Sequence, residues 1–251
     1  MKLWLFIFLI STKAYALRIV STSPAISEMI TRLGAEAQIV GRTPYCLDAK
    51  NAAKVGTALQ LDYEKVISLK PDLVIIQENT PGKTSKDLKA LGLKTIVIKI
   101  VSLSDLFEGW RVIAKTLNKD ESEIIKIQSK IIKTKMPGNI LFKLGGAPKQ
   151  SVLIAGSDSF YADLIQQLGG QYASKSSGWP SLSSEELRSI VDTNTRIVEI
   201  ATQQDRLWHA SDWQRFCSKC KIVNWVDARA AYPGPAMVES IIELFNNQVT
   251  P

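Results

Sequence analysis

A single histidine, His209, stands among 251 residues, in the polar stretch LWHASDW. With one imidazole the chain has few routes to general acid–base catalysis. It also has no G-x-S-x-G elbow and no H-E-x-x-H pair, and its Gly145-Gly146 turn lacks the lysine and serine of a phosphate-binding loop. His209 therefore reads as a surface or partly packed residue. A secreted α/β hydrolase, the reading from another functional class, is left without a recognisable nucleophile and base.

Cysteine is scarce too: Cys46, Cys217 and Cys220 are the complete set. Cys217-x-x-Cys220 could close a local disulfide in an oxidising compartment, with Cys46 then odd. A thioredoxin-like site needs its C-x-x-C opening a helix after an early strand, and this one lies near the C-terminus. Two cysteines and one histidine do not fill a tetrahedral zinc site without borrowed carboxylates. Arginine-rich tracts and aromatic–basic alternation are also missing. Lysines are scattered among acids, as in Lys119-Asp120-Glu121, so nucleic acid is not an expected partner despite a net charge of +7.

The longest apolar stretch, Leu3 to Ile10, is far short of the ~20 residues that a membrane span requires. Lys2 precedes it and Ala14-Tyr15-Ala16 follows, the pattern of a cleavable secretory signal peptide over residues 1–16. No cysteine adjoins Leu17, so a lipid anchor is not expected there. Cleavage would also remove Lys2 and Lys13, lowering the net charge from +7 to +5. The remaining chain is long enough for two lobes of ~100 to 120 residues, each with its own core.

Leu17 to Ser21 reads as a strand, and Ser23-Pro24 turns it into a helix with Ile26, Met29, Ile30 and Leu33 at helical spacing before Gly34. Strands are expected at Ala37–Val40, Leu73–Ile76 and Thr95–Ile98, alternating with helices at Tyr63–Ser68 and Ser85–Leu91, the order of a parallel sheet covered on both faces. Two helices follow: Asp105–Leu117, and a second from about Lys119 to Lys135 opened by Asp120 and Glu123, with Ile124, Ile125, Ile127, Ile131 and Ile132 as its apolar stripe. Alternation then restarts, with strands at Asn139–Leu144, Val152–Ile154 and Arg196–Ile200 and a helix at Phe160–Leu168. EKVISLKPDLVIIQE from Glu64 and EELRSIVDTNTRIVEIA from Glu185 echo one another as helix, turn and strand.

Taken together, RIVSTSPAISEMITRLG, YEKVISLKPDLVI, the mid-chain helix, Leu168-Gly169-Gly170, GWPSLSSEEL and YPGPAMVE resemble the periplasmic substrate-binding proteins of ABC importers for vitamin B12, haem and ferric siderophores. The start of the chain and GWPSLSSEEL look most like the cobalamin-binding branch. The resemblance implies a class III binding protein: two α/β lobes with mainly parallel sheets flanked by helices, joined by one long backbone helix, with the ligand in the cleft between them. The corresponding division is 17–117 for the first lobe, 118–137 for the joining helix and 138–251 for the second lobe. It further implies a monomer without a resident cofactor, which carries cobalamin, or alternatively haem or a ferric siderophore, to an inner-membrane permease.

A corrin or porphyrin face asks for aromatic platforms and a few polar donors. Trp179 matches a tryptophan that cobalamin-binding relatives place at the cleft. Tyr45 and Cys46 lie on the loop from Arg42 to Asp48, where Tyr45 would stack on or hydrogen-bond the ligand, and Cys46 is either a small buried residue or a thiolate facing the metal centre. Ser23 and Pro24 would floor the cleft, with backbone N–H groups of the following helix aimed inward, or make an ordinary helix cap. Gln77 stands where cobalamin binders carry an aromatic, and Ala236 where many relatives carry the arginine of P-G-P-R. Asp227 and Arg229 are candidates for the ligand's polar edge or for a mutual ion pair, and Tyr161, like Tyr45, is a candidate axial ligand if the cargo is haem. One acid per lobe is expected to meet permease arginines: Glu185 in the second lobe and, nearby in the first, Glu78.

Overall fold

The computed structural model describes residues 16–78, 82–146, 150–203 and 207–246. Apart from Ala16, the expected leader lies outside these residues.

The first half is a five-stranded, wholly parallel sheet in the order β3-β2-β1-β4-β5, built from β1 (Ile19–Ser21), β2 (Ile39–Arg42), β3 (Ala53–Lys54), β4 (Leu73–Gln77) and β5 (Thr95–Ile98). Its central strands are continuous apolar runs because helices cover both faces. Those helices are α1 (Pro24–Arg32), α2 (Tyr63–Ser68) and α3 (Gly82–Ala90). In α1, Pro24 occupies the first turn, where its missing N–H costs nothing, and Ile26, Met29 and Ile30 are buried before Gly34 leaves the helix at φ +69°.

Two helices lie in the chain between the two sheets. A reciprocal cap between Ser102 and Asp105 opens α4 (Leu103–Thr116). The next helix, α5 (Ser122–Lys133), is shorter than its sequence suggests. Asp120 does not cap it at the expected position; its carboxylate accepts the Ser122 N–H at 2.9 Å, while Glu121 sits at the cap without a side-chain bond. Burial of Ile124, Ile127 and Ile131 stabilises α5 by roughly 2 kcal/mol each. Ile125 and Ile132 are exposed, because each is one position, about 100°, beyond the buried seam.

The second half has a mixed sheet, β11-β10-β6-β7-β9, with β8 (Gln171–Tyr172) beside β6. The long strands β6 (Asn139–Gly145), β10 (Thr195–Ala201) and β11 (Lys221–Val226) are parallel, whereas β7 (Val152–Ile154) runs antiparallel to both of its neighbours, β6 and β9 (Ser181–Leu182). Helices α6 (Phe160–Gln167), α7 (Ser184–Ile190), α8 (Ala210–Phe216) and α9 (Pro235–Asn246) complete it. A continuous apolar core runs from Ile19 and Ile75 of the first sheet through α1, α4, α5, α6 and α9 to Phe142 and Trp225 of the second. At the far face of the second sheet, Cys217 and Cys220 are disulfide-bonded at the end of α8, so neither is a free thiol or a metal ligand.

Candidate ligand-binding cleft

The strand order of the first sheet changes direction at β1, and open α/β sheets bind ligands in the crevice beyond the carboxyl ends of strands at such a point. The end of β1 delivers Thr22 and Ser23, the end of β4 delivers Gln77, and β2 runs into the loop that carries Tyr45. Ser23 takes the cap position of α1 without capping it: its hydroxyl donates instead to Gln77 Oε1 at 2.6 Å. The polar floor of the crevice is thus assembled from two strand ends.

Arg42 builds the adjoining loop. Its guanidinium is 7% exposed and donates to the carbonyls of Thr43, Cys46 and Ala49 at 3.1, 3.1 and 2.9 Å. Wrapped around that charge, the loop turns Tyr45 outward, 56% exposed, and Cys46 inward, 5% exposed. Cys46 Sγ lies 3.1 Å from the Ser27 hydroxyl and 3.3 Å from that of Thr43, so the thiol is packed under the loop and does not face the cleft.

A cavity of about 320 Å³ lies between these residues and the Ala231–Pro233 segment of the second half. Ser23, Pro24, Tyr45 and Gln77 line it together with Leu59 and Tyr232, and no lining side chain is charged. Tyr232 is the counterpart of Tyr45 from the opposite half, and burial holds its phenol above the ordinary range. Leu59 was not among the expected contacts, whereas Tyr232 ends the segment Trp225 to Tyr232 that the sequence places at the second-lobe mouth of the cleft. Tyr232 opens the YPGPAMVE tail, so its proximity to a recognisable element was the available signal; Leu59 carried none.

In the second half, Trp179 is 59% exposed on a loop fastened to the segment before α6. Gly156 N–H donates to the Gly178 carbonyl at 2.9 Å, and the Gly178 N–H donates to Asp158 Oδ1 at 2.7 Å. The indole lies outside the residues lining the central cavity. Asp227 and Arg229 form a mutual ion pair, with Arg229 Nε and Nη2 on the carboxylate and the Ser240 hydroxyl on Asp227 Oδ2. Desolvation opposes ionisation of Asp227, but those hydrogen bonds hold its carboxyl below the usual range. Tyr161 does not reach the cleft: it is 4% exposed and its hydroxyl donates to the Ala230 carbonyl at 2.8 Å. Both Glu78 and Glu185 are exposed, Glu185 in the first turn of α7.

A family model described as periplasmic binding protein matches residues 19–207. The chain belongs to that family. Among the relatives of this periplasmic binding protein is the uncharacterised ABC transporter substrate-binding lipoprotein YvrC of Bacillus subtilis, 25% identical over 191 residues, which are 68% of this chain and 60% of that protein. A vitamin B12-binding protein of Pectobacterium carotovorum is 27% identical over 117 residues, 44% of this chain and 42% of that protein. The matched stretches thus span 60% or less of these relatives' length. Among solved structures, the periplasmic haem-binding protein HutB of Vibrio cholerae superposes with a TM-score of 0.79 at 21% identity, covering 94% of this chain and all of the other. The vitamin B12-binding protein BtuF of the same organism gives 0.65 at 15% identity, covering 92% and 96%. The fold is the one these binding proteins share, α/β with parallel strands flanked by helices.

Proposed function

We propose that this periplasmic binding protein is the exported substrate-binding component of an ABC importer, and that it captures cobalamin or a related corrinoid between its halves. The observation that carries the choice of cargo is the neutral cleft, floored by hydroxyl and amide groups and rimmed by Tyr45, Leu59 and Tyr232. A corrinoid presents a broad apolar face edged by uncharged amides, which such a surface complements. Haem brings carboxylates, for which the lining of this central cavity offers no cation. A neutral ferric hydroxamate meets the same requirement and is the second reading. A corrinoid far exceeds 320 Å³, so the cavity would hold one edge while Tyr45, Leu59 and Trp179 cover the rest.

On this reading the protein is a carrier, not an enzyme, and it hands its cargo to a membrane permease. The echo between its halves supports one pair of docking acids: α2 leads into β4 as α7 leads into β10, and Glu64 and Glu185 both stand exposed in the first turns of those helices. Glu64 therefore replaces Glu78 as the first-half partner of Glu185.

The reading is tested at the rim. Trp179→Ala is expected to weaken cyanocobalamin binding by about thirtyfold, near 2 kcal/mol, as for an aromatic anchor, while His209→Ala leaves it unchanged. Isothermal titration of both variants decides: equal effects would move the site away from this cleft.

A further inference from the structure

Beside the central cavity lies a second, of about 350 Å³, which shares Pro24, Ala25 and Tyr232 with it. Its polar wall consists of Glu28, Arg32, Asp48 and Arg229, and Ala236 closes one side. The charges are not equivalent, because both cations are already engaged. Arg229 is held by Asp227, and Arg32 lies between Glu28 Oε1 at 2.6 Å and Glu239 Oε2 at 2.7 Å.

The carboxylates are not matched in the same way. Glu28 Oε1 accepts both Arg32 Nε and the Ala236 N–H, each at 2.6 Å, which leaves Oε2 without a partner among the described residues. That oxygen approaches the chain so closely that a Cβ at residue 234 would come within 2.8 Å of it, so the glycine there makes room for it. Asp48 approaches the same space from the Tyr45 loop. Counted with the partners of those cations, Arg32, Arg229 and Lys130 meet four carboxylates, Glu28, Asp48, Asp227 and Glu239, so the excess on this wall, which is continuous with the cleft, is acceptor oxygen.

We propose that this side cavity is an acceptor subsite, which takes a primary amide or an ammonium group at the edge of the cargo and turns carboxylates away. The assignment rests on the cleft being the cargo site, and it narrows the cargo to chelates with hydrogen-bond donors, rather than acids, on their periphery. Desolvation agrees with the geometry: it pushes the Glu28 carboxyl up to about 7 despite Arg32, and it raises that of Asp48, with Glu36 adding to the effect. The groups around Glu28 are Arg32 on its own helix, the Ala236 N–H of α9, and Asp48 and Arg229 across the cavity, with Glu239 and Lys130 behind Arg32. A bound donor favours the ionised carboxylate, so its affinity should rise as pH climbs through about 7.

Two measurements test the subsite. The first compares cyanocobalamin with the three monocarboxylic acids in which one propionamide is hydrolysed. At least one acid is expected to bind tenfold or more weakly than the parent, and Glu28→Gln, whose amide can donate as well as accept, should reduce that ratio below threefold. Equal binding of all three acids and the parent, or discrimination that survives Glu28→Gln in a variant with unchanged melting, overturns the proposal. The second uses methylammonium on the cargo-free protein, followed by the ¹³C carboxyl resonance of Glu28. Its midpoint should fall from about 7 as the cation is added, and a midpoint that does not move counts against the subsite. If cyanocobalamin fails to bind, the cargo reading falls, and the methylammonium titration alone decides the subsite.

Discussion

Lys143→Met is expected to cost the protein about 3 to 5 kcal/mol of stability, the usual consequence of leaving one member of a buried ion pair without its partner. Lys143 on β6 and Glu199 on β10 face each other across the parallel ladder, 2% and 0% exposed, with Nζ 2.5 Å from Oε1. Desolvation pulls the ammonium's pKa down and Glu199 pushes it back, so the pair persists only as a unit. Glu199 also accepts the Trp208 N–H and the Trp213 indole N–H, each at 2.8 Å, and Lys143 lies 4.4 Å from the Trp208 ring centre. The carboxylate thus pins the start of α8 to the second sheet. Urea unfolding at neutral pH measures the loss. A variant within 1 kcal/mol of the parent would show that the pair contributes little, and adding Glu199→Gln to Lys143→Met should recover part of the deficit.

Gly156→Ala is expected to weaken ligand binding by about thirtyfold, as much as losing the Trp179 side chain itself, which corresponds to roughly 2 kcal/mol. A Cβ at residue 156 would meet Gly178 O at 2.5 Å, Gly178 N at 2.6 Å and Ser177 C at 2.7 Å, all backbone atoms that no rotamer change can move aside. The loop from Ser176 to Gly178 would have to lift, breaking the 2.9 Å bond from Gly156 N–H and the 2.8 Å bond from Ser157 N–H, and Trp179 would leave with it. Overpacking of this kind costs a further 1 to 3 kcal/mol of stability. Titration with cyanocobalamin alongside a thermal melt separates the two effects. Affinity within twofold of the parent would mean that Trp179 does not depend on this seam.

The elements that sequence located well are those whose apolar pattern is local. Thr95–Ile98, Val152–Ile154 and Tyr63–Ser68 fall where periodicity puts them. β11 and α8 went unread because Lys221 and Asn224 interrupt the short apolar run of an edge strand and because α8 is short and polar on one face. The antiparallel β7 and β9 follow from strand pairing, which no single segment encodes.

The cleft divides in a similar way. Ser23, Pro24, Gln77 and Tyr45 converge because they end or follow strands of one sheet, and strand ends can be read from hydrophobic runs. Cys46 was left open and Tyr161 was placed at the ligand because a small thiol and a phenol look alike in sequence whether packed or presented; Arg42 inside one loop and the Ala230 carbonyl opposite α6 settle which way each turns. Glu28 lay inside the first recognisable motif, yet its role depends on the Ala236 N–H, 208 residues away. Long-range closure of that kind leaves no periodic trace.

A cavity with no charged lining between two α/β halves suits a neutral metal chelate. Titration of the mature protein with cyanocobalamin, haemin and a ferric hydroxamate, followed by tryptophan quenching, tests it most directly. Saturable one-to-one binding of cyanocobalamin is expected, with a Kd of roughly nanomolar to micromolar, at least tenfold tighter than haemin, and without turnover. Haemin binding more tightly than cyanocobalamin, or no binding of any of the three, would contradict it.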